Sequence, residues 1–192
     1  VAGQSPLRRD ALHIWPRGGF MLIALPNASG SFTATLFLPR SGTVSFAALD
    51  SAAAVETFFA REFPDVPPLV PDLAAQFATH PQGRLATLHC WPWHAGKALL
   101  IGDAAHAIVP FHGQGLNCGF EDGVLLADLA AGAAELPACF ASFERARLPN
   151  ADAIARMAVE NYLEMRDTVR DARFAERKAL AERLERLHPG RF

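Results

Sequence analysis

The sequence predicts an α/β chain of the α+β kind: an antiparallel sheet, a strand–loop–helix unit, then C-terminal helices. Three observations predict it. Three β-prone runs, Ala11 to Trp15, Phe20 to Leu25 and Ser31 to Leu38, are joined by the turn-forming segments PRGG and PNASG. A buried-looking run, Lys97 to Ile101, passes through a loop holding Pro110, Gly113 and Gly115 into a helical pattern. The last third is rich in Ala, Arg and Glu, as exposed helices are.

Each element has its own reason. Alternation puts Leu12 and Ile14 on one face of the first strand, Met21, Ile23 and Leu25 on one face of the second, and Thr33, Thr35 and Phe37 on one face of the third. The result is an apolar wall ending in Phe37, although most apolar sheet faces are simply core. Ser51 to Phe63 is a helix, capped by Ser51 and ended by Pro64-Asp65; Pro71 to Thr79 is a shorter one. Arg84 to Trp91 reads as a strand turned back by PWHAG. Lys97 to Ile101 has the unbroken apolar character of a strand covered on both faces. Helices follow over Leu116 to Ala134, over Pro137 to Arg147 with a break before Pro149, and from Ala151 to about Leu187, with a further break near Arg170. The expected segments are 1–92 (sheet with short helices), 93–135 (loop and helix) and 136–192 (C-terminal helices).

Composition excludes several function classes. The chain has 192 residues, 51% hydrophobic and 20% charged, with net charge −2, so there is room for a sizeable core and no basic patch calling for nucleic acid. Cys90, Cys118 and Cys139 are too scattered for a disulfide framework, which points to a reducing, cytoplasmic setting. No run approaches the roughly 18 apolar residues of a membrane span. The start, VAGQSPLRRD, has neither Met nor a signal-peptide pattern, and the end, HPGRF, is as abrupt. A fragment is expected. His89, Cys90, His94, His106 and Cys118 have no usual zinc spacing.

The chemistry concentrates in Lys97 to Asp122, KALLIGDAAHAIVPFHGQGLNCGFED. Asp103 after Gly102 places a carboxylate at a strand end, able to accept hydrogen bonds from ligand hydroxyls. Gly113 and Gly115 let backbone pass close to a ligand. Gly115, Leu116 and Asn117 open a helix whose first N–H groups and dipole favour a phosphate, a carboxylate or an electron-rich ring. Gly119, Gly123 and Ala127 give that helix one small face for close packing against a cofactor or neighbour. Further on, Ile154, Met157, Ala158, Asn161, Met165 and Val169 share a helical stripe. Asn161, an amide among apolar groups, needs a partner if buried, and a backbone carbonyl is as good a partner as a ligand.

GDAAHAIVPFHGQGLNCGFED resembles the second flavin-binding motif of the class A FAD-dependent aromatic monooxygenases, in which a GD strand end is followed by a P-x-x-G-x-G-x-N loop and helix. HIWPRGGFMLIALPNASGSFTATLFLP is similar to a substrate-domain sheet of that family. The resemblance implies FAD as cofactor, NADPH as reductant, O2 and a small aromatic amino-acid substrate, hydroxylated through a flavin C4a-hydroperoxide. It implies cofactor contacts at Asp103, Pro110, Gly113, Gly115, Leu116 and Asn117. Substrate contacts are implied at Leu12, Ile14, Met21, Ile23, Leu25, Phe37, Pro110, Phe111, His112, Asn161 and Met165. His112 is the candidate for a hydrogen bond near the reacting oxygen, with a steric role an equal alternative. The family's N-terminal Rossmann βαβ, with its G-x-G-x-x-G, is missing from this sequence. Two alternatives stay open: a hydroxylase of another aromatic acid, and a binding module without activity of its own.

Overall fold

Turn residues and alternation between residues 13 and 37 dictate a meander. The structure, a computed structural model, describes residues 6–167 and 172–191. Strands β1 (His13–Pro16), β2 (Met21–Pro26) and β3 (Phe32–Phe37) form an antiparallel sheet in the order β1-β2-β3. The register sets Ile14 opposite Ile23 and Ile23 opposite Thr35, and sets Pro16, Met21 and Phe37 on the next rung. Directly opposed residues point to the same side of a sheet, so Ile14, Met21, Ile23, Leu25 and Phe37 do share one face. β2, the middle strand, is buried on both sides from Met21 to Ala24.

The chain folds into two units, Val1–Gln82 with Leu163–Phe192, and Gly83–Tyr162. In the first unit, Trp15, Leu22 and Leu36 on the other sheet face pack against α1 (Ala52–Glu62). The Ser51 side chain caps α1, accepting from the Ala54 N–H at 3.2 Å, and the helix buries Val55, Phe58 and Phe59 at 3 and 4 spacing. Phe63, fully buried, closes an aromatic cluster with Phe20, Phe58 and Phe59, and the Arg17 guanidinium lies 4.6 Å above its ring. α2 (Leu73–Thr79) follows. The β1–β2 turn uses positive φ at Gly18 and Gly19, and donates from Gly18 N–H to the Arg166 carbonyl and from Gly19 N–H to Asp167. α6 (Ala172–Leu187) ends the chain. Val169 and Arg170, assigned to a stripe and a break, lie outside the described residues.

The second unit holds a two-stranded hairpin, β4 (His94–Ala95) and β5 (Ala98–Leu99), then α3 (Asp103–His106), α4 (Gly115–Gly132) and α5 (Leu136–Arg166), which runs on into the first unit. Its core is Trp93, Ala105, Phe143 and Ala151, with Leu99, Leu125, Leu126, Leu129 and Leu148 against it.

Four sequence expectations are corrected here. Arg84 to Trp91 forms no strand: its one ladder-like bond is Leu88 N–H to the Ala107 carbonyl. Lys97 to Ile101 is not covered on both faces. It pairs only with β4 among the described residues, and Leu100 and Ile101 are exposed. Apolar side chains permit a doubly covered strand, but backbone partners make one. Pro149 does not break the helix. It and Arg145 face solvent, so the Arg145 carbonyl that loses its N–H partner can be hydrated, while Glu144 and Arg147 hold the buried face. The expected stripe of α5 holds except at Met157, which is exposed: Ala158 is buried, Ile154, Asn161 and Met165 are half-buried, and the buried face continues through Ala155, Ala151, Arg147 and Phe143. Small alanines let the helix approach its neighbours more closely than methionines would. No described helix is long and apolar enough to cross a membrane.

Candidate functional site

The loop from Gly102 to Asn117 is built from beneath by a carboxylate that the motif did not single out. Asp122 sits on α4 with no exposed surface. Its Oδ2 accepts from the Gly102 N–H at 2.8 Å and lies 2.7 Å from His106 Nε2. Its Oδ1 accepts from Arg147 Nε at 2.6 Å. Arg147 also donates to Glu121 at 2.8 Å and to the Cys118 carbonyl at 3.3 Å. Every oxygen of Asp122 thus faces a donor, and His106 must carry its proton on Nε2 to be one. Burial pushes the Asp122 carboxyl up, but the bonds from Gly102, Arg147 and His106 outweigh it and hold the group below the usual carboxylate range. Burial likewise opposes the Arg147 charge, and Asp122 and Glu121 more than restore it.

This network fixes the turn that carries Asp103. Gly102 stands at φ 57, ψ −140, which side chains disfavour, and a Cβ there would lie 4.0 Å from Gly119 Cα. Asp103 is the first residue of α3 and exposed, so the turn and not a strand end holds it. Its Oδ1 lies 3.9 Å from where a Cβ on Gly115 would stand, which places the carboxylate beside the start of α4.

The glycine loop follows the sequence closely. Pro110–His112 is a single 3-10 turn, Gly113 is left-handed at φ 64, and Gln114 caps α4. Gly115, Leu116 and Asn117 are its first three residues, so their N–H groups have no carbonyl within the helix. Nothing lies within 4 Å of a Cβ built on Gly113, Gly119 or Gly123. The small face of α4 is therefore open, flanked by the exposed side chains of Leu116, Phe120 and Val124. Exposed N–H donors, a neighbouring acceptor carboxylate and a cradle without side chains are what an FAD requires, and the residues present fit it.

Two residues of α5 hold the loop from the other side. Asn161 Nδ2 donates to the Phe111 carbonyl at 2.6 Å, so its amide is bonded to backbone. Tyr162, left out of the sequence-derived site, packs its ring on Phe111 with centroids 4.6 Å apart. Met165 lies one turn beyond Asn161 on the same helix, and His112 is exposed. In the first unit Ile14, Met21, Ile23, Leu25 and Phe37 occupy one sheet face, and Leu12 precedes β1 and lies outside the sheet. Met21 and Ile23 are buried, Ile14 and Phe37 half-buried, and Leu12 and Leu25 exposed. A cavity of 340 Å³ in the second unit, lined by residues such as Cys90, Trp91, Leu148 and Asp152, includes none of Pro110 to Asn117. Among the described residues no cluster of His, Cys, Asp and Glu has metal-holding geometry.

Asp122 and Arg147 did leave a signal. Asp122 falls on the stripe of Cys118, Leu125 and Leu129 that α4 buries, and Arg147 on the stripe of Phe143 and Ala151 that α5 buries. Opposite charges at core positions of two successive helices imply a buried pair.

The comparisons agree with this geometry. Residues 72–158 match the family described as FAD binding domain, a span that contains the whole loop from Gly102 to Asp122. In fold the chain is similar to the crystal structure of Klebsiella pneumoniae HpxO complexed with FAD and uric acid. The TM-score is 0.65 at 20% identity, covering 87% of this chain and 42% of that one. More specifically, the chain is 56% identical over 191 residues to the kynurenine 3-monooxygenase of Myxococcus xanthus (strain DK1622), covering 99% of this chain and 41% of that protein. It is 55% identical to that of Stenotrophomonas maltophilia (strain K279a), covering 99% and 42%. The chain is a relative of the kynurenine 3-monooxygenases and spans about two fifths of their length.

Proposed function

We propose that this chain supplies the ring-side half of an FAD site in a monooxygenase that uses NADPH and O2 to hydroxylate L-kynurenine to 3-hydroxykynurenine, a step of tryptophan degradation. The observation that carries the reading is the open glycine cradle at the start of α4 with Asp103 beside it. The name borne by relatives at 55–56% identity selects the substrate. When bound and reduced, FAD supplies the activation of O2 that the reaction needs. The chain's own tasks are binding and orientation. Asp103 accepts hydrogen bonds from the cofactor's sugar chain. The N–H groups of Gly115, Leu116 and Asn117, with the α4 dipole, hold negative charge at the flavin ring. Pro110 and Gly113 shape the loop against the flavin. Phe111 and His112 border the reacting groups. Leu12, Ile14, Leu25 and Phe37 offer apolar surface for the substrate's ring, and the buried Met21 and Ile23 back it. Asn161 is assigned to the substrate's amino-acid end, and Met165 is a further substrate contact in this reading. No metal and no nucleophilic side chain enters this scheme. The free thiols of Cys90, Cys118 and Cys139 support a reducing, cytoplasmic setting.

The test is a splice: this chain replaces the matching segment of the Myxococcus xanthus relative. The spliced protein should keep its flavin absorbance through gel filtration and oxidise NADPH faster with L-kynurenine than with 4-hydroxybenzoate. A folded splice that loses the flavin sinks the cofactor assignment. Acceleration by the benzoate alone sinks the substrate assignment.

A further inference from the structure

We propose that Asp122 is a positioning residue of the cofactor cradle, acting through the Gly102 turn on Asp103; this rests on the FAD reading above. Asp122 is fully buried and is not itself offered to a ligand. What it holds is specific. Oδ2 takes the Gly102 N–H and His106, the residues on either side of Asp103, while Oδ1 takes Arg147 from α5. Asp103, the first of the three residues between those two anchors, carries the exposed carboxylate beside Gly115. Glycine reaches φ 57, ψ −140 without strain but has many other conformations open to it, and the Asp122 bond holds the turn in this one. Arg147 keeps the buried carboxylate charged, and its further bonds to Glu121 and the Cys118 carbonyl tie it to the first turns of α4. One buried carboxylate therefore links the two halves of the cradle, the Asp103 acceptor and the α4 donors.

Asn in place of Asp122 cannot repeat this. Its shape is retained, but its NH2 would face a donor whichever way the amide turns. The experiment is a double-mutant cycle on FAD affinity in the spliced protein, with Asp122→Asn, Asp103→Asn and the pair. Asp122→Asn should weaken FAD about tenfold, as expected for loss of a hydrogen bond to a charged group. In the Asp103→Asn background it should weaken FAD far less, because the group it positions is already gone. Thermal stability should fall equally in both backgrounds, since a merely structural loss does not depend on Asp103. Full additivity in FAD affinity, or unchanged affinity in Asp122→Asn, overturns the proposal. If Asp122→Asn does not fold, Gly102→Ala strains the same turn from the other side and takes its place in the cycle. If the unaltered splice holds no FAD, the functional reading fails on its own. The positioning claim is then decided in the full flavin-free chain by the amide resonances of Gly102 and Gly115. Asp122→Asn should displace both, and displacement of Gly102 alone overturns it.

Discussion

At the scale of single residues, the two carboxylates of the loop divide the work by exposure. The Asp103 carboxylate is exposed and bonds to no other described side chain, so its oxygens are available to a ligand; Asp122 is buried and wholly committed to the protein. Asp103→Ala should therefore weaken FAD binding before substrate binding, and Phe37→Ala should do the reverse. Titration of the spliced protein with FAD and with L-kynurenine measures both, and equal losses for Phe37→Ala would make it ordinary core. Asp122 also sets an acid dependence. Its carboxyl is held below its unfolded value, so its contribution is complete above about pH 4 and is lost as pH falls through the lower folded value. The groups facing it are the Gly102 N–H, His106 and Arg147, and Arg147 in turn pairs with Glu121. Urea unfolding at a series of pH values should show stability falling below about pH 4, and a shallower fall in Asp122→Asn. At neutral pH that variant should lose about 3–5 kcal/mol, the usual cost of breaking a buried pair from one side. A loss near zero would mean that the network is incidental.

At the scale of elements, the sequence carried most of the local structure. The three strands, the Ser51 cap and the glycine loop are where turn residues, alternation and capping chemistry place them. Those signals are local, and local backbone physics answers them. The misses have a common cause. Pro149, the Lys97 to Ile101 run and Met157 all depend on which face meets a partner, and no single segment encodes that. Tyr162 was missed because its contact partner, Phe111, is distant in sequence. Two element-scale outcomes follow. Pro149→Ala restores an N–H to an exposed turn of α5, so it should stabilise the chain by about 1–2 kcal/mol, the helix gain less the lost stiffening of the unfolded chain. Destabilisation in chemical unfolding would show that α5 needs the proline. Asn161→Ala removes the side-chain amide bond to the Phe111 carbonyl at a cost of about 1 kcal/mol. Faster proteolysis within Pro110–His112 should accompany it; an unchanged loop would contradict the anchoring role of Asn161.

At the scale of the whole molecule, two units divide the tasks. Residues Gly83–Tyr162 carry the flavin cradle and its buried charge network, and the remainder carries the apolar sheet face. The cradle was legible from sequence because its chemistry is written in consecutive residues, Gly102 to Asn117. Its support was not, because Asp122, His106 and Arg147 come from three helices. Under the proposed function, the cradle is half of a site whose product carries one oxygen atom from O2. The most direct measurement is mass spectrometry of the product formed by the spliced protein from L-kynurenine under isotopically labelled O2. The account predicts 3-hydroxykynurenine with one labelled oxygen, lost in Asp103→Ala as flavin is lost. A spliced protein that retains flavin yet yields no hydroxylated product, or yields one without the label, would contradict it.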